Sequence, residues 1–298
     1  MKKIFLSLAL CSIVLACQDD VKIPIGEIGK ITSLQVGFVK CENSRVTING
    51  LASSFEPGDA IGVFGEYIDN AKFVVTEDLR NAQSNEECLI RTGEKLFAYY
   101  PYVDGVTKDY TSTTGIKVRT FPVEISRKQK QTDAEGTHVT MYDYMVGIPV
   151  VVSDENTQIL FNRINSWLEF KICNEEDGPI TVKSVTVESE YGELVYKGIV
   201  DVLAVDGDSY MSVQPTQKTE KFTILTEGNW STVAPGDDIV VRAAILPYDY
   251  SGVGLIISVE TDKGISRMRY QGMNFKHGNV YTMTMSNSYS ANINSNVK

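Results

Sequence analysis

Apolar residues in this chain recur at every second position over short runs, and clusters of turn-forming residues cut those runs apart. A period of two puts alternate side chains on opposite faces of an extended strand, whereas a helix needs a stripe near 3.6. No window keeps a helical stripe for more than two turns, so the chain is confined to nearly all-β architectures. Strands are expected over Lys72 to Thr76, Leu96 to Tyr100, Ile116 to Phe121, Gly147 to Val152, Ile159 to Phe161, Trp167 to Ile172 and Thr181 to Glu188. Further ones are expected over Phe222 to Thr226, Ile239 to Leu246, Gly254 to Thr261, Ser266 to Gln271 and Val280 to Met285. Turns such as Arg91-Thr92-Gly93-Glu94 and Asp262-Lys263-Gly264 separate them, the second being a hairpin signal. The stretch from Arg127 to Tyr144 is the least regular and reads as a loop or short helix. Strands this short, at this spacing, favour β-sandwiches.

The segment from Ser33 to Phe64 concentrates several signals. Leu34, Val36 and Phe38 alternate with Gln35 and Gly37, the pattern of a half-buried strand, and Arg45 follows. Phe55-Glu56-Pro57-Gly58-Asp59 then forms a turn: Pro57 presets φ, Gly58 tolerates positive φ, and Asp59 can bond its local backbone. Ala60-Ile61-Gly62-Val63-Phe64 should run on as a buried strand. An echo of this corner, Ala234-Pro235-Gly236-Asp237-Asp238-Ile239, occurs in the second half, as a duplication or as a recurrent turn solution. With 298 residues, 43 % of them hydrophobic, the chain can hold two cores. The polar run Asp154-Glu155-Asn156-Thr157 marks the expected boundary, giving β-sandwich domains over residues 31–157 and 158–298.

Met1-Lys2-Lys3 and the apolar run Ile4 to Ala16 make a secretory signal, too short to span a bilayer. Its end, Leu15-Ala16-Cys17, resembles the lipobox of bacterial lipoproteins. That resemblance implies cleavage between Ala16 and Cys17 and acylation of Cys17, each buried methylene then contributing roughly 0.8 kcal/mol of membrane affinity. Gln18-Asp19-Asp20 is similar to the acidic export signal of some Gram-negative surface lipoproteins, with a solvated acidic linker as the alternative, and residues 17–30 read as a tether. The net charge of −10 and the lack of a basic run exclude nucleic acid as an expected partner.

Enzymatic material is scarce. The chain has only His138 and His277 and lacks nucleophile-elbow, zincin and phosphate-loop motifs. Of the five cysteines, Cys11 and Cys17 belong to the leader region, and Cys41, Cys88 and Cys173 lack zinc-ligand spacing, reading as small buried apolar residues. The acidic clusters lack calcium-loop spacing. Tyr99, Tyr100 and Tyr102, like Tyr248 and Tyr250, read as core edges before they read as a sugar platform. No enzyme and no cofactor is expected.

The lipobox, Arg45, the Phe55 to Phe64 corner, Ala98-Tyr99-Tyr100-Pro101-Tyr102 and Asp143-Tyr144-Met145-Val146-Gly147 together resemble the fimbrillins and Mfa-like proteins of Bacteroidales type V pili. Ser166-Trp167-Leu168-Glu169-Phe170, Ile245-Leu246-Pro247 and Phe275-Lys276-His277-Gly278-Asn279-Val280-Tyr281 extend the likeness through the second half, while Asn162 departs from a position expected to carry His. The resemblance implies two transthyretin-like β-sandwich domains in tandem and export to the outer membrane and cell surface. In polymerising members it also implies removal of the first strand by a trypsin-like maturation protease, here between Arg45 and Val46. A strand from another fimbrial subunit then fills the groove. In the C-terminal tail, Tyr289, Ala291, Ile293 and Val297 alternate with Ser and Asn and make a candidate donor strand. A host protein or glycan is the expected ligand of such a fimbria. The competing expectation is a lipid-anchored surface carbohydrate- or protein-binding lipoprotein that does not polymerise.

Overall fold

The computed structural model describes residues 26–39, 54–107, 109–110, 117–118, 120–153, 157–202 and 213–286. Among the described residues, apart from two 3-10 helices, Thr137–Tyr142 and Asn229–Ser231, every regular element is a strand. The architecture is all-β.

The eight-stranded sheet closes on itself into a small barrel. Around it run Met145–Gly147, Gln158–Arg163, Ile28–Phe38, Asn81–Arg91, Ala71–Val75, Ala60–Phe64 and Lys95–Tyr100, Met145 and Val146 then pair with Tyr100 and Tyr99 to complete the circuit, and Val150–Val151 adds an eighth, short strand beside Lys95–Tyr100. Closure removes most of the free edges that an open sheet would present. Leu34, Val36, Ile61, Val63, Phe73, Leu96, Ala98, Ile159 and Phe161 fill the interior.

In the second half, a three-stranded sheet of Asp238–Ile245, Ser166–Cys173 and Val280–Ser286 faces a six-stranded one. Leu168, Phe170 and Ile172 on one face meet Val185, Val187, Phe222 and Ile257 on the other. The Pro-Gly-Asp echo is a structural one: Gly58 and Gly236 sit at φ 94° and 80°, and Asp59 and Asp237 each donate a backbone N–H three residues back, to Glu56 and Ala234, at 3.1 Å. Only glycine takes that φ without strain, so both turns need it.

The chain passes between the two systems more than once. Thr120–Glu124 and Lys128–Gln131 pair with Leu194–Asp201 and Lys221–Thr226, while Gln158–Arg163 lies beside Ile28–Phe38. Sheet membership therefore does not divide at residue 157. A third core, with Phe64, Tyr99, Phe121, Val146, Trp167, Val200 and Leu246, joins the parts. Beside it, Arg163 lies 3.8 Å over the Trp167 ring and pairs with buried Asp143 at 2.9 Å.

Lys128–Gln131 is a strand where a loop or short helix was expected. Its inward residues are Gln129 and Gln131, 2 % and 0 % exposed. Each glutamine side chain imitates a strand's backbone. Gln129 Nε2 donates to the Ala244 carbonyl at 2.8 Å and its Oε1 accepts the Ala244 N–H at 2.9 Å. Gln131 accepts the Arg242 N–H at 2.8 Å and donates to the Val240 carbonyl at 3.1 Å. The outer edge of Asp238–Ile245 is satisfied by side chains, as buried backbone groups require. Across the sandwich, Tyr270 Oη donates to the Thr284 carbonyl at 2.8 Å and Ser266 Oγ to that of Ser286 at 3.3 Å.

Candidate functional site

The first strand, Ile28–Phe38, is held by two neighbours that come from distant parts of the chain. It runs antiparallel to Asn81–Arg91, from Ile28 opposite Arg91 to Gln35 opposite Asn81, and parallel to Gln158–Arg163, from Gln35 beside Gln158 to Phe38 beside Phe161. Residues 84–87 bulge out of the first partner where Thr32 alone separates Ile31 from Ser33.

The expected alternation is realised in the strand's second half. Leu34 and Val36 are 3 % and 2 % exposed and enter the barrel core, each burial being worth about 1.5–3 kcal/mol. The Gln35 N–H donates to Thr157 O at 3.1 Å, that of Val36 to Arg80 O at 2.8 Å, and that of Val39 to Phe161 O at 3.1 Å. Phe38 packs on Phe55 at 4.7 Å, and Phe55 in turn meets Phe161 and Tyr100 edge-on at 5.4 and 5.6 Å. Tyr100 Oη donates to Asp59 Oδ1 at 3.1 Å, which ties this aromatic cluster to the Pro-Gly-Asp corner. Burial, followed by the charge of Asp59, holds the Tyr100 phenol above its ordinary range.

The strand's first half is held more loosely. Ile28 stays exposed, and Lys30 meets Glu87 at 2.5 Å in solvent, a pairing worth little. Cys88 lies opposite Ile31, buried at 8 % exposure, and burial raises its thiol pKa. Taking out Ile28–Phe38 would open a slot whose walls are the unpaired edges of Asn81–Arg91 and Gln158–Arg163, with its floor at the places Leu34 and Val36 now fill. Such a slot accepts an extended segment with apolar side chains at alternate positions.

Ala16, Cys17, Arg45, Val46, Tyr289, Ala291, Ile293 and Val297 lie outside the described residues. So do Cys11 and Cys41. The tyrosine runs belong to the packing, with Tyr99 and Tyr250 at 0 % and 2 % exposure and the Tyr250 phenol accepting the Val195 N–H at 2.9 Å. His138 is partly buried against the 238–245 strand, and burial pushes its imidazole below the usual range. Among the described residues, no His, Cys, Asp and Glu side chains group as a metal site.

Two crystal structures resemble this one. A candidate cell adhesion protein from Bacteroides ovatus superposes with a TM-score of 0.57 at 14 % identity, over 87 % of this chain and 92 % of that one. A second, from Bacteroides uniformis, gives 0.51 at 15 % identity, over 87 % of this chain and 93 % of that one. At such identities the likeness establishes the fold. No curated protein matches the sequence. The family model described as fimbrillin-like, however, matches residues 44–298, and the chain belongs to the fimbrillin-like family.

Proposed function

We propose that this protein is a structural or adhesive subunit of a surface fimbria, exported as a lipoprotein through Cys17 and assembled by protease-triggered donor-strand exchange. Its family makes it a cell-surface protein of the fimbrial and adhesive type, associated with the outer membrane. One observation carries the assembly reading: a strand from the start of the chain, with Leu34 and Val36 in the core, is clamped between two strands from elsewhere. A cut between Arg45 and Val46 by a trypsin-like protease would release that strand together with the lipid-bearing Cys17. The vacated slot would receive the tail of another subunit, with Tyr289, Ala291, Ile293 and Val297 on its apolar face. In the same reading, the two halves are tandem transthyretin-like β-sandwich domains that share the segment between residues 120 and 163.

N-terminal sequencing of assembled material tests this. We expect polymers that begin at Val46, and an Arg45→Ala chain that folds as a monomer and gives no detergent-resistant ladder. Polymers that retain residues 28–38 would refute the exchange.

A further inference from the structure

Two short connections lead the chain from a further three-stranded sheet, formed by Val213–Thr219, Leu194–Asp201 and Thr120–Glu124, to the six-stranded sheet. Residues 125–127 join Thr120–Glu124 to Lys128–Gln131, and Glu220 joins Val213–Thr219 to Lys221–Thr226. In both cases the first strand belongs to the three-stranded sheet around Leu194–Asp201 and the second to the six-stranded sheet. The sheets diverge from these two hinges and leave an open crevice of about 1270 Å³.

The crevice is basic in a chain of net charge −10. Arg127 and Lys128 line it at the first hinge, Lys218 and Lys221 at the second, and Lys197 from the strand between. Two of these cations are neutralised: Lys197 pairs with Glu124 at 2.9 Å and Lys218 with Glu193. Among the described residues, no carboxylate pairs with Arg127, Lys128 or Lys221, all three of them exposed. Cations gathered on the walls of a cleft focus a positive field there, whatever the sign of the whole molecule.

The rest of the lining selects among anions. Glu124 and Glu220 are its carboxylates, the hydroxyls of Ser126, Tyr144, Thr219 and Thr223 are bonded to the Lys128, Glu124 and Lys221 carbonyls and to Thr186, and Met141 is the one large aliphatic side chain. A peptide would find no apolar socket for its side chains. Stacked bases would find little free aromatic surface, because the Arg127 guanidinium lies 5.0 Å over the Tyr196 ring and the Tyr142 and Tyr144 side chains are partly buried against the third core. We propose that this crevice binds an anionic polysaccharide, whose sulfate or carboxylate groups, repeated along an extended polar chain, meet Arg127, Lys128 and Lys221. The assignment rests on the crevice alone and stands or falls apart from strand exchange.

Binding of the full chain, in detergent, to heparin, to alginate and to neutral dextran tests it by calorimetry over a range of salt concentrations. We expect heparin or alginate to bind and dextran not to bind, the stronger of the two identifying sulfate or carboxylate as the recognised group. The Lys128→Ala, Lys221→Ala double variant, altered only at exposed positions, should lose about tenfold in affinity and show a shallower salt dependence. A Lys30→Ala, Lys263→Ala variant should bind like the parent. The assignment is overturned if neither anionic polysaccharide binds, or if the first double variant binds as well as the parent. Tighter binding of poly-L-glutamate or single-stranded DNA would equally overturn it.

Discussion

Replacing Leu34 by alanine is expected to expose Cys88 while leaving the second half of the molecule closed. Leu34 is 3 % exposed in the barrel core, and Cys88 is covered by the same strand through its pairing with Ile31. Deleting a buried leucine side chain costs about 2–5 kcal/mol. If the first strand detaches as a local unit, that whole cost comes off the opening free energy. Thiol labelling under fast reclosing tracks the open population, so Cys88 should react at least roughly thirty times faster, at 1.4 kcal/mol per tenfold. The assay is pseudo-first-order reaction with an aromatic disulfide, in a chain whose Cys11, Cys17, Cys41 and Cys173 are replaced by serine. Leu255→Ala supplies the control: Leu255 is 1 % exposed in the other core and is expected to carry a similar cost. It should destabilise the sandwich and leave the Cys88 rate unchanged. Equal acceleration by both substitutions would mean that Cys88 reports global unfolding, and the idea of a separable first strand would fail.

Two other outcomes bear on the termini and on pH. Aspartate at both Ile293 and Val297 should stop polymerisation, since each apolar burial in the slot is worth about 1.5–3 kcal/mol, while the monomer's melting temperature stays the same. Normal polymers from that variant would rule out the tail as donor. Burial lowers the His138 pKa in the fold, with the Arg242 backbone and the charge of Asp133 favouring the cation and the Arg242 charge opposing it. The stabilisation is therefore full above the unfolded value of about 6.5 and is lost as pH falls towards the lower folded value. Thermal melts from pH 7 to pH 5 should show Tm declining, and the decline should be shallower in His138→Gln. Burial raises the carboxyl of Asp143 instead, which acts in the opposite sense and is common to the parent and the His138→Gln protein. A parent and a His138→Gln protein with the same slope would contradict the assignment.

How legible the molecule was depends on where each strand's burial comes from. Leu34 and Val36 alternate in sequence because one face of their strand is core and the other is not, and most expected strands obey the same rule. Asn81–Arg91 was missed because it turns only Ala82, Cys88 and Ile90 inward, and the bulge at residues 84–87 breaks the period between them. Lys128–Gln131 was missed for a different reason: its buried positions are amides that bond to a neighbouring strand's backbone, so no hydropathy contrast marks them. Val213–Thr219 is a largely exposed edge strand and likewise carries no apolar period. The parallel pairing of Ile28–Phe38 with Gln158–Arg163 and the closure of the barrel are contacts across long stretches of chain, which local pattern does not encode. The basic crevice was invisible because its cations come from segments some ninety residues apart that only the two hinges bring together.

The clasp made by Gln129 and Gln131 has a consequence for the shape of any polymer. A subunit that accepts one strand and donates one strand has a valence of two, and subunits of valence two join into unbranched threads. Asp238–Ile245 stands at the margin of its sheet and would present a second site of attachment if its outward backbone groups at Val240, Arg242 and Ala244 were vacant. The glutamines occupy four of them, the Val240 and Ala244 carbonyls and the Arg242 and Ala244 N–H groups, from within the same chain, and Pro215 removes a donor from the exposed strand Val213–Thr219. In a polymer built by such exchange, these two amide side chains would keep this strand from serving as a third point of attachment and so favour an unbranched thread.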